Sequence, residues 1–273
     1  MTQDKRVNAT ELLQRAFAGS ISPAEFEQEL WCLSKGHQRR ARIYESGVVR
    51  IYRSRTWQVS KRPTCTADLS YPPKDCATLG RANLAGEQIF YASAGLPPSF
   101  VECRLSKGQY VVCSEWRNTA NLVLQEVGLS LGKNTSSLEQ IYHQIFTSGD
   151  PGMYIYSAHV AHHLLSGDSI SGLLYPSIAA QSGSHNVALK PSVVDTGMRF
   201  VNASLYYVKD VAGAHQYEVE EIDFALPQVD GSLDWKGRKR QWTIRKQGDQ
   251  LKFVSNGWTW DAYQPDGSLV DPE

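Results

Sequence analysis

The sequence predicts an α+β fold, a mixed or antiparallel sheet with flanking helices, and three observations predict it. Segments that alternate apolar and polar residues, such as VVRIYRSR from Val48 and YEVEEIDF from Tyr217, read as half-buried strands. Segments with apolar residues at helical spacing occupy the N-terminus and the middle of the chain. The two kinds alternate without the regular strand-helix-strand rhythm of a parallel sheet. The 273 residues, 41% hydrophobic and 10% aromatic, suffice for one principal domain with attachments and a sizeable core.

Taken in order, the first forty-odd residues read as helix. Leu12, Leu13, Ala16 and Phe17 mark one apolar face, and Gly19 stops the run. Ser22-Pro23-Ala24-Glu25 then restarts it, with a capping hydroxyl, proline at the first helical position and glutamate at the third. VVRIYRSR follows as a strand. The stretch from Ser60 to Gly80, with Pro63, Pro72 and Pro73, reads as a long surface loop. Gln88–Ser93 reads as a strand, LPPSFVECRL as a short helix capped at its prolines, and QYVVCSEW as another strand. Ser137–Leu165 reads as helix, with Leu138, Ile141, Tyr142 and Ile145 on one face. SGLLYPS is a strand broken at Pro176, and NVALK a second strand after a small-residue loop. LYYVKDV and YEVEEIDF complete the sheet, and a hairpin over Gln241–Val254 turns at Gly248-Asp249. The domain reading is a helical N-terminal extension over 1–46, a central domain over 47–225 and a C-terminal hairpin extension over 226–273.

Composition narrows the function. The 28 basic residues balance 28 acidic ones, so strong capture of nucleic acid or anionic membrane is not the default. The basic run Lys236, Arg238, Lys239 and Arg240 reads as a solvated flank. No apolar stretch approaches a bilayer span and the start has no apolar signal core, so a cytoplasmic location is expected. Five cysteines without a CxxC pair are expected as reduced thiols. GxGxxG and the phosphate-binding P-loop are both absent. His159, His162 and His163 have one-turn spacing but lack the acidic partner of HExxH, and no metal site is expected. Ser177 lacks the GxSxG setting of a hydrolase nucleophile, and Cys103 beside Glu102 reads as a structural thiol.

What remains is a set of polar residues in strands and a short helix: Arg53 in IYR, Arg81 and Asn83 in LGRANLAG, Tyr91 ending a strand, Glu102 after Phe100-Val101, Ser177 after LLYP, and Asn186 opening NVALK. Guanidinium, phenol, carboxylate and hydroxyl together suit a phosphorylated, planar, cationic ligand. Individually, an arginine on a strand or a glutamate on a helix is more often a solvated side chain.

The order IYR, GRANLAGEQIFYAS, PPSFVE and LLYPSIA...NVALKP resembles the RES domain, a toxin family named for its Arg, Glu and Ser. The resemblance covers roughly Val48 to Phe224. Its most specific part is Gly-Arg-x-Asn-x-x-Gly, followed by the strand-ending Tyr91 and a glutamate eleven residues later. It implies a split mixed sheet like that of the ADP-ribosyltransferase toxins, and an activity that breaks down NAD+. It implies Arg81, Tyr91, Glu102 and Ser177 as catalytic-site residues, with Arg53, Asn83, Tyr52 and Asn186 binding substrate. In these roles Arg81 grips phosphate, Tyr91 stacks on nicotinamide, Ser177 orients the ribose or Glu102, and Glu102 opposes charge on the ribose. It further implies NAD+ as substrate with no prosthetic group, a separate antitoxin or immunity protein as partner, and room for a homodimer. Transfer of ADP-ribose to a protein is the rival within that fold, and a non-enzymatic binding module the rival outside it. Two features depart from the family: Ala82 stands where an aromatic residue often follows the motif arginine, and compact members lack the N-terminal helices and C-terminal hairpin.

Overall fold

A computed structural model describes residues 8–37, 39–129, 135–180, 183–212 and 216–238, and the backbone of 250–255 and 260–263. The chain begins with α1 (Ala9–Phe17) and α2 (Pro23–Ser34). Their starts follow from local chemistry. The Asn8 side chain accepts the Thr10 N–H at 2.9 Å. Ser22 Oγ accepts the Glu25 N–H at 3.2 Å while Glu25 Oε2 accepts the Ser22 N–H at 3.1 Å, satisfying donors that the first turn leaves open. The helical reading of the first forty-odd residues ends at Ser34, because Ala41–Tyr44 forms the strand β1. Three of its four residues are exposed, so no apolar alternation marks it in the sequence.

The chain continues through β2 (Arg50–Trp57), β3 (Phe90–Ser93), α3 (Leu96–Glu102), β4 (Tyr110–Asn118) and β5 (Leu122–Glu126). Then come α4 (Ser137–Phe146), α5 (Tyr154–Leu165), β6 (Gly172–Pro176), β7 (His185–Leu189) and α6 (Pro191–Gly197). The last strands are β8 (Met198–Val211), β9 (Tyr217–Pro227), β10 (Leu233–Trp235), β11 (Gln250–Ser255) and β12 (Trp260–Tyr263). The single helix expected over Ser137–Leu165 is two. The Thr147 hydroxyl turns back to the His143 carbonyl at 2.7 Å, and Pro151 cannot continue the ladder, so α4 ends and α5 starts afresh. Of the C-terminal hairpin expected over Gln241–Val254, the turn at Gly248-Asp249 and the first strand lie outside the described residues. So do Lys239 and Arg240. β11 is present, paired with β9 on one side and β12 on the other.

The strands form one mixed sheet in the order β1-β5-β6-β7-β3-β2-β4-β8-β9-β11-β12, with β10 also on β9. Among the described strands only β5 and β6 run parallel. The α+β class is therefore as predicted. The sheet is nearly cut in two: β2 meets β4 at eight residue pairs and β3 meets β7 at four, but β2 and β3 meet at Tyr52–Ser93 alone. On one face of the first half, α1, α2, α4 and α5 bury Leu12, Phe26, Leu30, Ile141, Phe146 and Leu164 against Leu173 and Ala188. Across the junction of the two halves Phe90, Trp116 and Phe200 stack edge-on at 5.2 Å spacings. α3 packs on the second half, with Phe100 and Val101 against Val111, Tyr206 and Val219. Burial of these side chains, at ~25 cal/mol per Å² of apolar surface, is what holds helices to sheet. Among the described residues no helix is long and apolar enough to cross a membrane.

Candidate functional site

Where β2 and β3 diverge, backbone groups that a closed sheet would pair are met by side chains. Arg53 Nη1 donates to the Tyr91 carbonyl, and the Cys103 thiol donates to the Ser54 carbonyl at 2.9 Å. The Ser54 and Ser99 hydroxyls lie 2.7 Å apart, tying β2 to α3. The divergence opens a cleft of about 530 Å³, within the usual range for small-molecule sites. Six of the eight residues expected at a site line it: Tyr52, Arg53, Arg81, Tyr91, Glu102 and Asn186.

Glu102 is the last residue of α3, and its side chain is exposed to solvent at the cleft. Its Oε1 accepts from the Ser177 hydroxyl at 2.5 Å and from Asn186 Nδ2 at 2.7 Å. Both donors are aimed by further bonds. Ser177 Oγ accepts the Ala180 N–H at 3.0 Å, which leaves its hydrogen for Glu102. Asn186 Oδ1 accepts from Ser93 at 2.8 Å, which turns its amide nitrogen to the carboxylate. Neither bond reaches Oε2. Ser177 itself is buried behind Glu102 and does not line the cleft, so of its two expected roles the geometry provides the orientation of Glu102.

The Gly-Arg-x-Asn-x-x-Gly stretch is a compact turn built around Asn83. The Asn83 amide nitrogen donates to the carbonyls of Thr78, Leu84 and Glu87 at 2.8, 2.8 and 3.0 Å, and its Oδ1 accepts the Tyr91 hydroxyl at 2.7 Å. That hydroxyl in turn accepts the Ala82 N–H at 2.8 Å. Gly80 is required by proximity, since a Cβ there would stand 2.5 Å from Asn83 Oδ1 and 2.7 Å from the Tyr91 hydroxyl. Gly86 is required by its φ of +82°. Asn83, expected to bind substrate, is instead buried and does not line the cleft, because all its polar capacity goes to shaping the turn. Tyr91 presents its ring to the cleft while its hydroxyl is held in the turn, where burial pushes the phenol pKa up. Ala82 points into the helical core, so its small size leaves no gap in the cleft wall.

The turn delivers Arg81. Its Nη1 donates to the carbonyls of Phe146 and Ser148, the latter at 3.2 Å, and its Cζ lies 4.8 Å from the ring centre of Tyr154. Arg53 enters from the other half of the sheet, stacked 5.4 Å from the Phe90 ring, and its Nε is buried without a partner. Burial, then the charge of Arg55, lowers its pKa to about 9, so it remains cationic at neutral pH. Tyr154, Tyr175 and Arg104, which no sequence signal marks, also line the cleft. Arg104 follows α3 with a left-handed φ of +49°, rare for a side-chain-bearing residue. Cys103 is a structural thiol as expected: burial, then Cys113, raises its pKa to about 12.

The three histidines of α5 do not converge. His159 and His162 each bond one oxygen of Glu27 through Nδ1, at 2.7 and 3.0 Å, whereas His163 Nε2 faces Arg39 Nη2 at 2.9 Å. Among the described residues no group of three or more His, Cys, Asp and Glu is placed to hold a metal. Comparison with protein-family models finds no match, and no curated protein matches the chain.

Proposed function

We propose that the chain is an enzyme that cleaves NAD+ at the bond between nicotinamide and ribose, with ADP-ribose as the other product. The observation that carries this reading is the joining, in one cleft, of a carboxylate oriented by Ser177 and Asn186 with the guanidinium groups of Arg53, Arg81 and Arg104. In NAD+ the nicotinamide is already cationic, so the glycosidic bond breaks with its electron pair passing to the ring nitrogen, and no general acid is needed. Positive charge develops on the ribose. Glu102 opposes it, and its place at the C-terminus of α3 adds the negative end of the helix dipole to the same region. Water then attacks the ribose carbon and gives up a proton, completing hydrolysis. The guanidinium groups hold the pyrophosphate, which fixes the ribose against the carboxylate.

The resemblance to the RES family supports the same reading and extends it. By it, the protein is a toxin that depletes NAD+ in a bacterial cytoplasm, restrained by a separate antitoxin or immunity protein. Incubating purified protein with NAD+ and following nicotinamide, ADP-ribose and labelled protein tests this. Free nicotinamide with ADP-ribose is the expected result. Nicotinamide with labelled protein means transfer to a protein acceptor, and no release of nicotinamide overturns the enzymatic reading.

A further inference from the structure

We propose that Tyr154 is the positioning residue of Arg81, fixing the plane in which that guanidinium meets the anionic part of the substrate. The inference rests on the reading of the cleft as an NAD+ site and adds a residue that the resemblance does not name. Tyr154 is the first residue of α5 and lines the cleft. Arg81 Cζ lies over its ring, 4.8 Å from the centre, and Arg81 Nη2 donates to its hydroxyl at 3.5 Å. The Phe146 and Ser148 carbonyls hold the Nη1 edge. Contacts at Nη1, at Nη2 and at the central carbon together orient the fork.

The break between the two helices makes this arrangement. Thr147 closes α4, Asp150 Oδ1 accepts the Gly152 N–H at 2.8 Å, and Pro151 starts the turn that leads into α5. The nine residues from Phe146 to Tyr154 therefore supply both the two carbonyls that meet Arg81 Nη1 and the ring under its central carbon. The choice of an aromatic has a chemical reason. A carboxylate would hold the arginine as firmly but cancel the charge that an anionic ligand needs, whereas a ring face orients the cation and leaves its charge in place.

The test compares Tyr154→Leu and Tyr154→Phe by steady-state cleavage of NAD+ and by calorimetric titration with inorganic pyrophosphate. Loss of the ring should raise KM for NAD+ and Kd for pyrophosphate about tenfold, while kcat changes less than about threefold. Tyr154→Phe keeps the ring and should recover most of both losses. In an Arg81→Lys background the effect of Tyr154→Leu should shrink, because the two residues act through one contact. An unchanged KM in Tyr154→Leu, a phenylalanine variant as impaired as the leucine one, or a fall in kcat alone with a lowered melting temperature would each overturn the proposal. Should Tyr154→Leu not fold, Tyr154→Met replaces it with the same expectations. If the wild-type protein does not cleave NAD+, the functional reading fails by itself. The pyrophosphate titration then decides the role of Tyr154: a tenfold loss rescued by phenylalanine upholds it, and equal binding or none overturns it.

Discussion

Glu102 and Arg81 are held in place by different means, and their replacements should fail in different ways. Glu102→Gln keeps an oxygen for Ser177 and Asn186 but removes the charge that, in the proposed reaction, opposes the developing cation. The turnover number should drop on the order of 10²–10³, with NAD+ affinity little changed. Arg81→Lys keeps the charge but loses the planar fork that spans two carbonyls and the Tyr154 ring. It should weaken NAD+ binding by about 1–3 kcal/mol before it slows chemistry. Titration calorimetry beside turnover separates the two, and normal turnover by Glu102→Gln would reduce that residue to a solvated helix end. Arg104 offers a third contrast. Its left-handed backbone costs about 1 kcal/mol that glycine would not incur. Arg104→Gly should therefore raise the melting temperature while weakening NAD+ binding; a lower melting temperature would show that the arginine side chain makes a stabilising contact in the fold.

Among the elements, those with strong local signals were legible and those made by tertiary contact were not. The capping box at Ser22 and the alternation in β2, β8 and β9 could be read directly, as could the prolines that open α3. β1 exposes three of its four residues and exists because β5 pairs with it; β5 is only five residues long, and neither stands out in the sequence. For the site, Glu102 stands out as a carboxylate after Phe100-Val101, and Arg81 and Arg53 through the motif order GRANLAG and IYR. Asn83 had the same signal, yet its side chain turns inward, and only the geometry of the loop distinguishes a shaping amide from a binding one. Tyr154 had no signal, since an aromatic residue at the start of an apolar helix looks like any core residue.

The docking of α5 on the N-terminal helices carries a pH dependence. Burial, then the neighbouring charge of Arg39, lowers the His163 pKa to about 4, against ~6.5 in an unfolded chain. Between those values the unfolded chain binds the proton and the folded one does not, so stability falls as pH falls from about 6.5 towards 4. Urea midpoints measured from pH 7 to pH 4.5 should decline, and the decline should be shallower in His163→Phe. Equal slopes would mean that the ring charges in place.

Over the whole molecule, the cleft lies at the junction of β2 and β3, while β11 and β12 attach beyond β9 at the far end of the second half. Removing residues 241–273 should therefore preserve NAD+ cleavage per folded molecule and lower solubility, because the β9 edge that β11 pairs with becomes bare. A soluble, folded truncation without activity would place part of the site elsewhere.

The single ladder pair between β2 and β3 also makes the sheet's backbone compliant along one line. Glu102 is anchored to the first half through Ser177 and Asn186, and Arg53 rises from the second, so a molecule gripped by both acts as a rivet across that line. The sheet then stiffens where its own ladder is thinnest. Amide exchange at Tyr52 and Ser93 should be rapid for strands this deep in a sheet and should slow when ADP-ribose, which offers a pyrophosphate to Arg53 and ribose hydroxyls to Glu102, binds, with little change at the continuous β4–β8 ladder.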